Sequence, residues 1–219
     1  MSVQHPLQGA SFDRAAHIVR ELPADAGIEI AFAGRSNAGK SSALNTLVGV
    51  KSLARTSKTP GRTQQMVVFN LPSGYRLIDL PGYGYAKVPE ALRKHWHQQR
   101  EVYLSNRHSL RGLVLIMDIR HPLRDFDREI LRFSAVSELP CHLLLSKADK
   151  LSRSERVRTL QQVRKDLAST PFIGAVQIFS ATTRIGVEEA RLAVAQLLGM
   201  DTSLASTGPF PDRLIPPCS

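Results

Sequence analysis

The chain has 219 residues, of which 42% are hydrophobic, and it carries a formal net charge of +10. That length suits one globular domain with appendages, and the basic charge favours RNA, DNA or an anionic membrane as partner unless it is scattered solubilising charge. Its two cysteines, Cys141 in an apolar run and Cys218 in a proline-rich stretch, exclude a disulfide framework, so we expect a cytoplasmic protein in a reducing compartment.

The N-terminal residues lack the basic-then-apolar pattern of a signal peptide, and no later apolar run is long enough to span a bilayer, so we expect no membrane partner. Residues 1–10 are expected to be disordered. Residues 11–20 predict a short amphipathic helix that Ser11 caps and that Leu22 and Pro23 end. Residues 1–22 are therefore an expected N-terminal extension with a short helix.

Residues 28–33 predict an apolar strand, which leads into a glycine-rich loop and then a helix. Gly34 and Gly39 allow backbone angles that turn successive N–H groups toward phosphate oxygens, and the positive end of the helix faces the same anion. Lys40 can reach β- and γ-phosphates, and the Ser41 hydroxyl suits Mg²⁺. A glycine turn that matches by chance is the alternative, but its strand–loop–helix context indicates a nucleotide-phosphate site.

The rest of the chain alternates strands and helices. Residues 51–63 are polar and basic without an apolar period, which is typical of a functional or mobile connection. The predicted strands lie at residues 66–71, 75–79, 113–118, 141–146 and 175–179, and the helices at residues 89–107, 125–138, 152–168 and 186–198. This order predicts an α/β three-layer fold whose mostly parallel, six-stranded sheet has one antiparallel edge strand, followed by a loose tail at residues 201–219.

Two further pieces suit a site that senses a triphosphate. Thr63, with Thr56 and Thr59 as rivals, can complete a Mg²⁺ shell only while a γ-phosphate is present. Asp79 ends a predicted strand and opens the string Asp-Leu-Pro-Gly, so it can hold a magnesium-bound water while the Gly82 N–H senses the γ-phosphate. An aspartate-initiated turn is the alternative interpretation of that string.

Two strand ends indicate recognition of guanine. The Asp149 carboxylate can accept hydrogen bonds from guanine N1–H and the exocyclic amine, a pair of donors that adenine lacks. The Lys147 stem can cover the base ring, and a backbone N–H of residues 179–181 can reach the guanine oxygen. A plain strand-end turn is the alternative for the segment that contains Asp149, and residues 179–181 alone would be negligible evidence.

The strings Gly-Arg-Ser-Asn-Ala-Gly-Lys-Ser, Thr-Pro-Gly-Arg-Thr-Gln, Asp-Leu-Pro-Gly-Tyr-Gly-Tyr-Ala and Lys-Ala-Asp resemble the EngB (YihA/YsxC) family of bacterial GTPases. The resemblance implies a Ras-like P-loop GTPase domain at residues 23–200, GTP with Mg²⁺, a role in large-ribosomal-subunit assembly, and a link to cell division and septation. Ser146 departs from the Asn or Thr usual before Lys-x-Asp, for which we expect at most somewhat weaker nucleotide binding.

Carried onto this chain, the resemblance implies nucleotide contacts, magnesium ligands and catalytic groups. The implied magnesium ligands are Ser41, Thr63 and Asp79, and the catalytic groups are Lys40 and Asn37. The implied contacts with GTP are Gly34, Arg35, Ser36, Asn37, Ala38, Gly39, Lys40, Ser41, Ser42, Gly61, Arg62, Thr63, Gln64, Gln65, Asp79, Leu80, Pro81, Gly82, Ser146, Lys147, Ala148, Asp149, Phe179, Ser180 and Ala181.

The residue directly after Asp-x-x-Gly, where many GTPases carry a water-orienting glutamine, is Tyr83. A phenol cannot replace a carboxamide there, so we predict slow intrinsic hydrolysis that a partner or an ion accelerates. Asn37 suggests K⁺ as that ion, because related GTPases with asparagine at this place bind K⁺ beside the phosphates. That Asn37 only caps the loop is an equal alternative.

Two predicted helices concentrate positive charge. Because the first helix follows the proposed phosphate-sensing segment at residues 79–82, we favour an rRNA-facing surface coupled to nucleotide state over a merely solvated face. Trp96 and Tyr103 lie in the first helix and can stack on a base or pack in the core, and the core is favoured for Trp96. The first basic set is Arg93, Lys94, His95, His97, Arg100 and Arg107, and the second is Arg153, Arg156, Arg158, Arg164 and Lys165.

These patterns favour a monomeric GTP-binding switch that uses GTP, Mg²⁺ and, in the potassium hypothesis, K⁺, with the large ribosomal subunit or its precursor as partner. One alternative is an RNA- or ribosome-binding module that holds nucleotide as a structural ligand. The other is a different P-loop NTPase, such as a nucleotide kinase or ATPase, against which Asp149 and Lys147 argue.

Overall fold

The computed structural model describes residues 5–54, 65–84 and 90–200, and these form seven strands and five α-helices. The strands are β1 (Ser11–Ala16), β2 (Ile28–Gly34), β3 (Met66–Asn70), β4 (Tyr75–Asp79), β5 (Leu110–Asp118), β6 (Cys141–Ser146) and β7 (Gly174–Ile178). The helices are α1 (Lys40–Val48), α2 (Glu90–Asn106), α3 (Asp125–Val136), α4 (Arg153–Ala168) and α5 (Val187–Leu197). The predicted tail at residues 201–219 lies outside the described residues.

All seven strands join one sheet in the order β1-β3-β4-β2-β5-β6-β7. Strands β4, β2, β5, β6 and β7 are parallel neighbours, while β3 runs antiparallel to both β1 and β4. Strand β6 is buried at every residue, as its continuous apolar run predicts for a strand covered on both faces. The carboxyl ends of the parallel strands meet at one edge of the sheet, where Gly34, Asp79, Asp118 and Ser146 end their strands.

The prediction of a helix at residues 11–20 is wrong. Residues Ser11–Ala16 form β1, which pairs with β3 from Ser11 opposite Asn70 to Ala16 opposite Met66, and a single 3₁₀ turn, Val19–Glu21, follows. An isolated helix of this length is marginal in water, whereas pairing with β3 satisfies the backbone groups of both strands. The sheet therefore has seven strands rather than six, and β1 lies outside the antiparallel strand β3.

The helices cover both faces of the sheet. Helices α2, α3 and α4 contribute Tyr103, Ile130 and Val163 to the core on one face, and α1 and α5 contribute Leu44 and Val194 to the core on the other. Cys141 is a buried free thiol, as expected for a small core residue. The three-layer α/β prediction is confirmed. No helix in the described part of the chain is both long and apolar enough to cross a membrane.

A buried ion network closes the opposite edge of the sheet, where the parallel strands begin. Glu29 of β2 is fully buried, and its carboxylate accepts hydrogen bonds from Arg107 Nη2 at 2.7 Å, Arg107 Nε at 3.0 Å and the Tyr103 hydroxyl at 3.2 Å. Arg76 of β4 completes the network, with its Nε 3.1 Å from Glu29 Oε1. Because every partner is protein, this network holds the end of α2 against β2 and β4.

Candidate nucleotide-binding site

The predicted phosphate loop runs from the end of β2 into α1, and its two glycines are needed for different reasons. Gly34 packs so closely on β5 that a Cβ there would lie 2.6 Å from the Ile116 carbonyl oxygen. Gly39 is the N-cap of α1 and has a φ of 98°, in the left-handed region that favours glycine. Asn37 is exposed and also left-handed, with a φ of 61°. The loop backbone therefore has the conformation that the sequence pattern predicts.

Lys40, the first residue of α1, is buried and forms an ion pair with Asp79. Asp79 ends β4 opposite Phe32 of β2, so strand pairing brings its carboxylate to the phosphate loop. The Asp79 carboxylate and the Ser41 hydroxyl are hard oxygen donors of the kind that Mg²⁺ prefers, and Mg²⁺ usually takes few protein ligands. In the described ranges, no three His, Cys, Asp or Glu side chains gather into a metal cluster. The donor set therefore fits Mg²⁺ held together with phosphate.

The segment after Asp79 returns along the phosphate loop. The Ser36 N–H donates to the Tyr83 carbonyl at 2.8 Å, and the Tyr83 N–H approaches the Gly34 carbonyl at 3.4 Å, so Arg35 and Tyr83 form an isolated parallel bridge. Two backbone groups of the loop, the Ser36 N–H and the Gly34 carbonyl, thus bond to the residue that follows Gly82. The phosphate loop and the segment that follows Asp79 are therefore in direct contact.

The Tyr83 side chain points into the fold toward α3. Its hydroxyl donates to Asp127 at 2.6 Å, and the Arg100 guanidinium lies over its ring, 5.5 Å from the centroid. Burial, followed by the nearby Asp127 charge, raises the pKa of Tyr83 well above its usual value, so the phenol remains protonated. Phe126, which is 43% exposed, packs beside the same ring.

The guanine-recognition segments meet at the ends of β6 and β7. The Ser180 hydroxyl donates to Asp149 Oδ1 at 2.7 Å, and this hydrogen bond is the main cause that lowers the pKa of Asp149. The Phe179 carbonyl accepts the Ala148 N–H at 3.1 Å, which fixes one segment against the other. The result is an ionised carboxylate beside a backbone segment that starts at the fully buried Ser180.

Hydrogen bonds also join the first guanine-recognition segment, residues 146–149, to the phosphate loop. Ser146 Oγ lies 2.5 Å from the Ala38 carbonyl oxygen and 3.0 Å from that of Met117, and its single proton serves one of them at a time. The Lys147 ammonium donates to the Asn37 carbonyl at 2.5 Å. The serine that departs from the usual pattern thus retains a hydroxyl contact to the loop.

The structure brings most of the predicted site residues to this one edge of the sheet. The exceptions lie in the segment before β3: Gln65 Nε2 is 2.7 Å from His17 Nε2, beside β1, and the rest of that segment is outside the described residues. The gathered residues are those at positions 34–42, 79–82, 146–149 and 179–181. The predicted residues outside the description are Gly61, Arg62, Thr63 and Gln64.

Sequence reasoning missed Asp118, which ends β5 between the phosphate loop and the first guanine-recognition segment. Its Oδ2 lies 3.1 Å from the Lys147 ammonium, and Arg120 Nη2 lies 2.7 Å from the same oxygen. An acidic residue at the carboxyl end of a buried parallel strand is a signal that could have found it, since α/β sheets bind ligands at that edge.

The two predicted basic sets behave differently. In the first set the prediction of an outward basic face is wrong for Arg107, which follows α2 and pairs with buried Glu29. It is also wrong for Arg100, whose guanidinium lies over the Tyr83 ring and whose pKa is lowered by burial. His97 pairs with Glu129 at 2.7 Å, and Lys94 is exposed. Tyr103 is a core residue as one alternative held, and Trp96 is half-buried. The exposed members of the α4 set are Arg153, Arg158, Arg164 and Lys165, and the Arg93 side chain lies outside the description.

The strand order and the converging loops define a P-loop GTPase domain. The sequence model of the family described as "50S ribosome-binding GTPase" matches residues 29–147. The "Probable GTP-binding protein EngB" of Stenotrophomonas maltophilia (strain K279a) is 53% identical over 196 residues, which are 89% of this chain and 98% of that relative. Its namesake in Xanthomonas euvesicatoria pv. vesicatoria (strain 85-10) is 52% identical over 198 residues, 89% of this chain and 95% of that one. This chain belongs to the EngB family of GTP-binding proteins.

Solved structures share the fold at lower sequence identity. The crystal structure of a probable GTP-binding protein engB has a TM-score of 0.64 and 19% identity, and the match covers 78% of this chain and 98% of that one. Era in complex with MgGDPNP and 16S ribosomal RNA nucleotides has a TM-score of 0.60 and 23% identity, covering 86% of this chain and 59% of that one. These likenesses confirm the predicted Ras-like fold.

Proposed function

We propose that this protein is a molecular switch that binds GTP with Mg²⁺ and hydrolyses it to GDP. The observation that carries the proposal is the convergence of Lys40, Asp79 and Asp149 from three separate segments on one edge of the sheet. The names of the relatives and the family's description support the nucleotide and the reaction.

At the phosphate end of the site, the phosphates of GTP replace Asp79 as the partner of Lys40. Lys40 exchanges the Asp79 carboxylate for β- and γ-phosphate oxygens, while the first N–H groups of α1, which have no partner within the helix, face the same anion. Ser41 and Asp79, with Thr63 as the further proposed ligand, are the residues that would hold Mg²⁺. When bound there, Mg²⁺ would supply neutralisation of phosphate charge.

At the base end, Asp149 gives the specificity. Its ionised carboxylate accepts two hydrogen bonds from guanine, whereas adenine would leave it unsatisfied. Displacement of a fluorescent GDP analogue tests this: GTP and GDP displace the probe and ATP does not. Equal displacement by ATP would overturn the guanine assignment and favour a different P-loop NTPase.

We propose slow intrinsic hydrolysis because Tyr83, at the position of the water-orienting glutamine, is directed toward Asp127. The exposed Asn37 beside the loop is the residue through which K⁺ would accelerate the reaction. Turnover measured in K⁺ and in Na⁺ at equal ionic strength tests the ion, with Asn37→Ala abolishing any difference. Equal rates in the two salts for the unaltered protein would show that Asn37 only caps the loop.

We propose the large ribosomal subunit or its precursor as the partner, and a monomer in the cytoplasm as the working form. The family's description supports the partner, and the resemblance to the family is what connects the protein to cell division and septation. At 100° per residue, Arg153, Arg158, Arg164 and Lys165 occupy one arc of about 140° on α4. Glu155 and Asp166 fall outside that arc, so α4 presents an acid-free basic stripe.

Co-sedimentation with separated ribosomal subunits in GDP, a non-hydrolysable GTP analogue and ATP tests the partner. Pelleting with the large subunit in the GTP analogue alone is the expected result, and binding indifferent to nucleotide would favour a module with structural nucleotide. Reversal of Arg158 and Lys165 to glutamate should weaken binding more than Lys94→Glu on α2, since charge contacts with RNA are additive and salt-dependent.

A further inference from the structure

A charged pair at the nucleotide edge, Asp118 with Arg120, belongs to none of the predicted motifs. The Asp118 carboxylate lies at the end of β5. It accepts two hydrogen bonds from the Arg120 guanidinium, one from Nε at 2.9 Å and one from Nη2 at 2.7 Å. The Arg120 N–H donates to the same carboxylate at 3.1 Å. A bidentate fork of this kind fixes the orientation of the carboxylate as well as its charge.

The oriented carboxylate faces Lys147, the residue whose stem is placed to cover the base. The Lys147 ammonium lies 3.1 Å from Asp118 Oδ2 and donates to the Asn37 carbonyl at 2.5 Å. Its backbone is left-handed, with a φ of 57°, so the side chain leaves the strand end at an angle that few residues adopt. A lysine side chain has many rotamers in water, and these two contacts select the one that crosses the phosphate loop.

The electrostatics keep this arrangement charged. The Asp118 side chain is 17% exposed, and although that desolvation works to raise its pKa, the hydrogen bonds from Arg120 and Lys147 hold the pKa of Asp118 well below its usual range. The carboxylate is therefore ionised throughout the physiological pH range. Arg120 is 43% exposed, so it orients Asp118 from the solvent side.

We propose that Asp118, oriented by Arg120, is a positioning residue for Lys147 and that this pair sets how long a guanine nucleotide stays bound. The inference rests on the proposed GTP-binding function and concerns the same site. Without the Asp118 charge, Lys147 keeps the Asn37 carbonyl as its contact here and samples other rotamers. The base then loses its cover, and dissociation becomes faster for any purine nucleotide that the site accepts.

Dissociation of a fluorescent GDP analogue, chased with excess unlabelled GDP in a stopped-flow instrument, tests the proposal. Asp118→Asn keeps the shape and removes the charge, and it should raise the dissociation rate constant by about tenfold. Arg120→Ala should raise it by about threefold, and Arg120→Lys, which keeps one cation without the fork, should fall between that variant and the unaltered protein. Arg128→Ala on α3 is the matched control, since Arg128 is comparably exposed and pairs with Asp166.

A second readout separates positioning from general loosening of the site. The Lys147 stem covers the ring of guanine and hypoxanthine alike, so Asp118→Asn should accelerate dissociation of GDP and IDP by the same factor. Asp149→Asn should instead reduce the difference between them, because IDP lacks the exocyclic amine. The GTP KM of Asp118→Asn should rise more than its kcat falls.

Two results would overturn the inference separately from the proposed function. If the unaltered protein binds GDP while Asp118→Asn, folded by circular dichroism, releases it at the unaltered rate, the positioning role is wrong and GTP binding stands. If the unaltered protein binds no guanine nucleotide, both fail. Should Asp118→Asn not fold, the order of the two Arg120 variants decides, since Arg120 lies at the surface.

Discussion

The two edges of one sheet carry buried charges that serve opposite purposes. At the edge where the parallel strands begin, Glu29 is surrounded by Arg76, Arg107 and Tyr103, so all its partners are protein groups. At the other edge, Lys40 is matched by Asp79 from a different strand, in the loop where a phosphate is proposed to bind. The first arrangement pairs the buried charge of Glu29 within the fold, whereas the second can exchange a partner for a ligand.

The difference teaches how one interaction can lock a fold or prepare a site. Removing one member of a buried ion pair leaves an uncompensated charge in a poorly solvated place. At the Glu29 edge the carboxylate is fully buried, so solvent compensates poorly for a missing partner. At the Lys40 edge a bound nucleotide would itself be the replacement, and Asp79 neutralises the lysine within the fold.

The largest effect, on stability, is expected at the sheet edge where Glu29 lies. Glu29→Gln leaves Arg76 and Arg107 facing a neutral amide, which should lower the free energy of unfolding by about 3–5 kcal/mol. Urea unfolding followed by circular dichroism measures this loss, with Glu101→Gln on the exposed side of α2 as control, expected within about 0.5 kcal/mol. GTP affinity of the folded variant should be unchanged; a loss of affinity would show that the two edges are coupled.

The next largest effect, on GTP affinity, is expected at the sheet edge where Lys40 lies. Lys40→Ala removes the cation that the phosphates are proposed to take over, and it should weaken GTP binding by at least about a hundredfold. Isothermal titration calorimetry measures the affinity, and Lys94→Ala, an exposed lysine on α2, should bind like the unaltered protein. An affinity within threefold of normal for Lys40→Ala would place the phosphates elsewhere.

A smaller effect is expected at the base. Asp149→Asn exchanges a charged acceptor for an amide and should lower GTP affinity by about ten- to a hundredfold. The same loss should be smaller for ITP, which makes one hydrogen bond fewer, and titrations with both nucleotides measure the ratio. Equal losses for GTP and ITP would mean that Asp149 acts on the fold rather than on the exocyclic amine.

The smallest effect is a pH dependence of stability that Asp25 contributes, near Arg107 at the same sheet edge as Glu29. Although desolvation works to raise it, hydrogen bonds from Ser109 and His108 lower the pKa of Asp25 to about 2. A lowered pKa stabilises the fold above the ordinary aspartate pKa of about 4, and this contribution is lost as pH falls through about 2. Because Asp25 is partly exposed, the contribution is no more than about 1 kcal/mol. Urea unfolding between pH 5 and pH 2 should show a shallower loss in Asp25→Asn, and parallel curves would contradict it.

The sequence was sufficient wherever the determining signal is local. The phosphate loop needs glycines at fixed spacing between a strand and a helix, and β6 needs one continuous apolar run, so both could be predicted. Strand β1 could not be predicted in this way, because it is a strand only through its pairing with β3. At the Ser11–Asn70 pair, the two partners are more than fifty positions apart in the sequence. A short segment with both helical and extended possibilities follows its tertiary partner.

The same distinction explains the charged side chains. A sequence shows that Arg100 and Arg107 are cationic but not that Tyr83 and Glu29 lie beside them, the latter 78 positions from Arg107. Asp118 was missed for the same reason, since its partners come from the loop after β5 and from the end of β6. Motif residues are recognisable by spacing. The position of Asp118 at a strand end could have marked it as a candidate, but its contact with Lys147 could not be read from the sequence.

Strand β1 also protects the edge of β3 from pairing with a strand of another molecule. Without it, β3 would present a row of unpaired N–H and C=O groups, a template on which a strand of another copy could add. As outermost strand, β1 is six residues long, has a register shift between Phe12 and Arg14, and carries the charges of Asp13 and Arg14, all of which discourage further pairing. A chain trimmed to residues 23–200 would keep every predicted nucleotide contact and lose its protection against self-association.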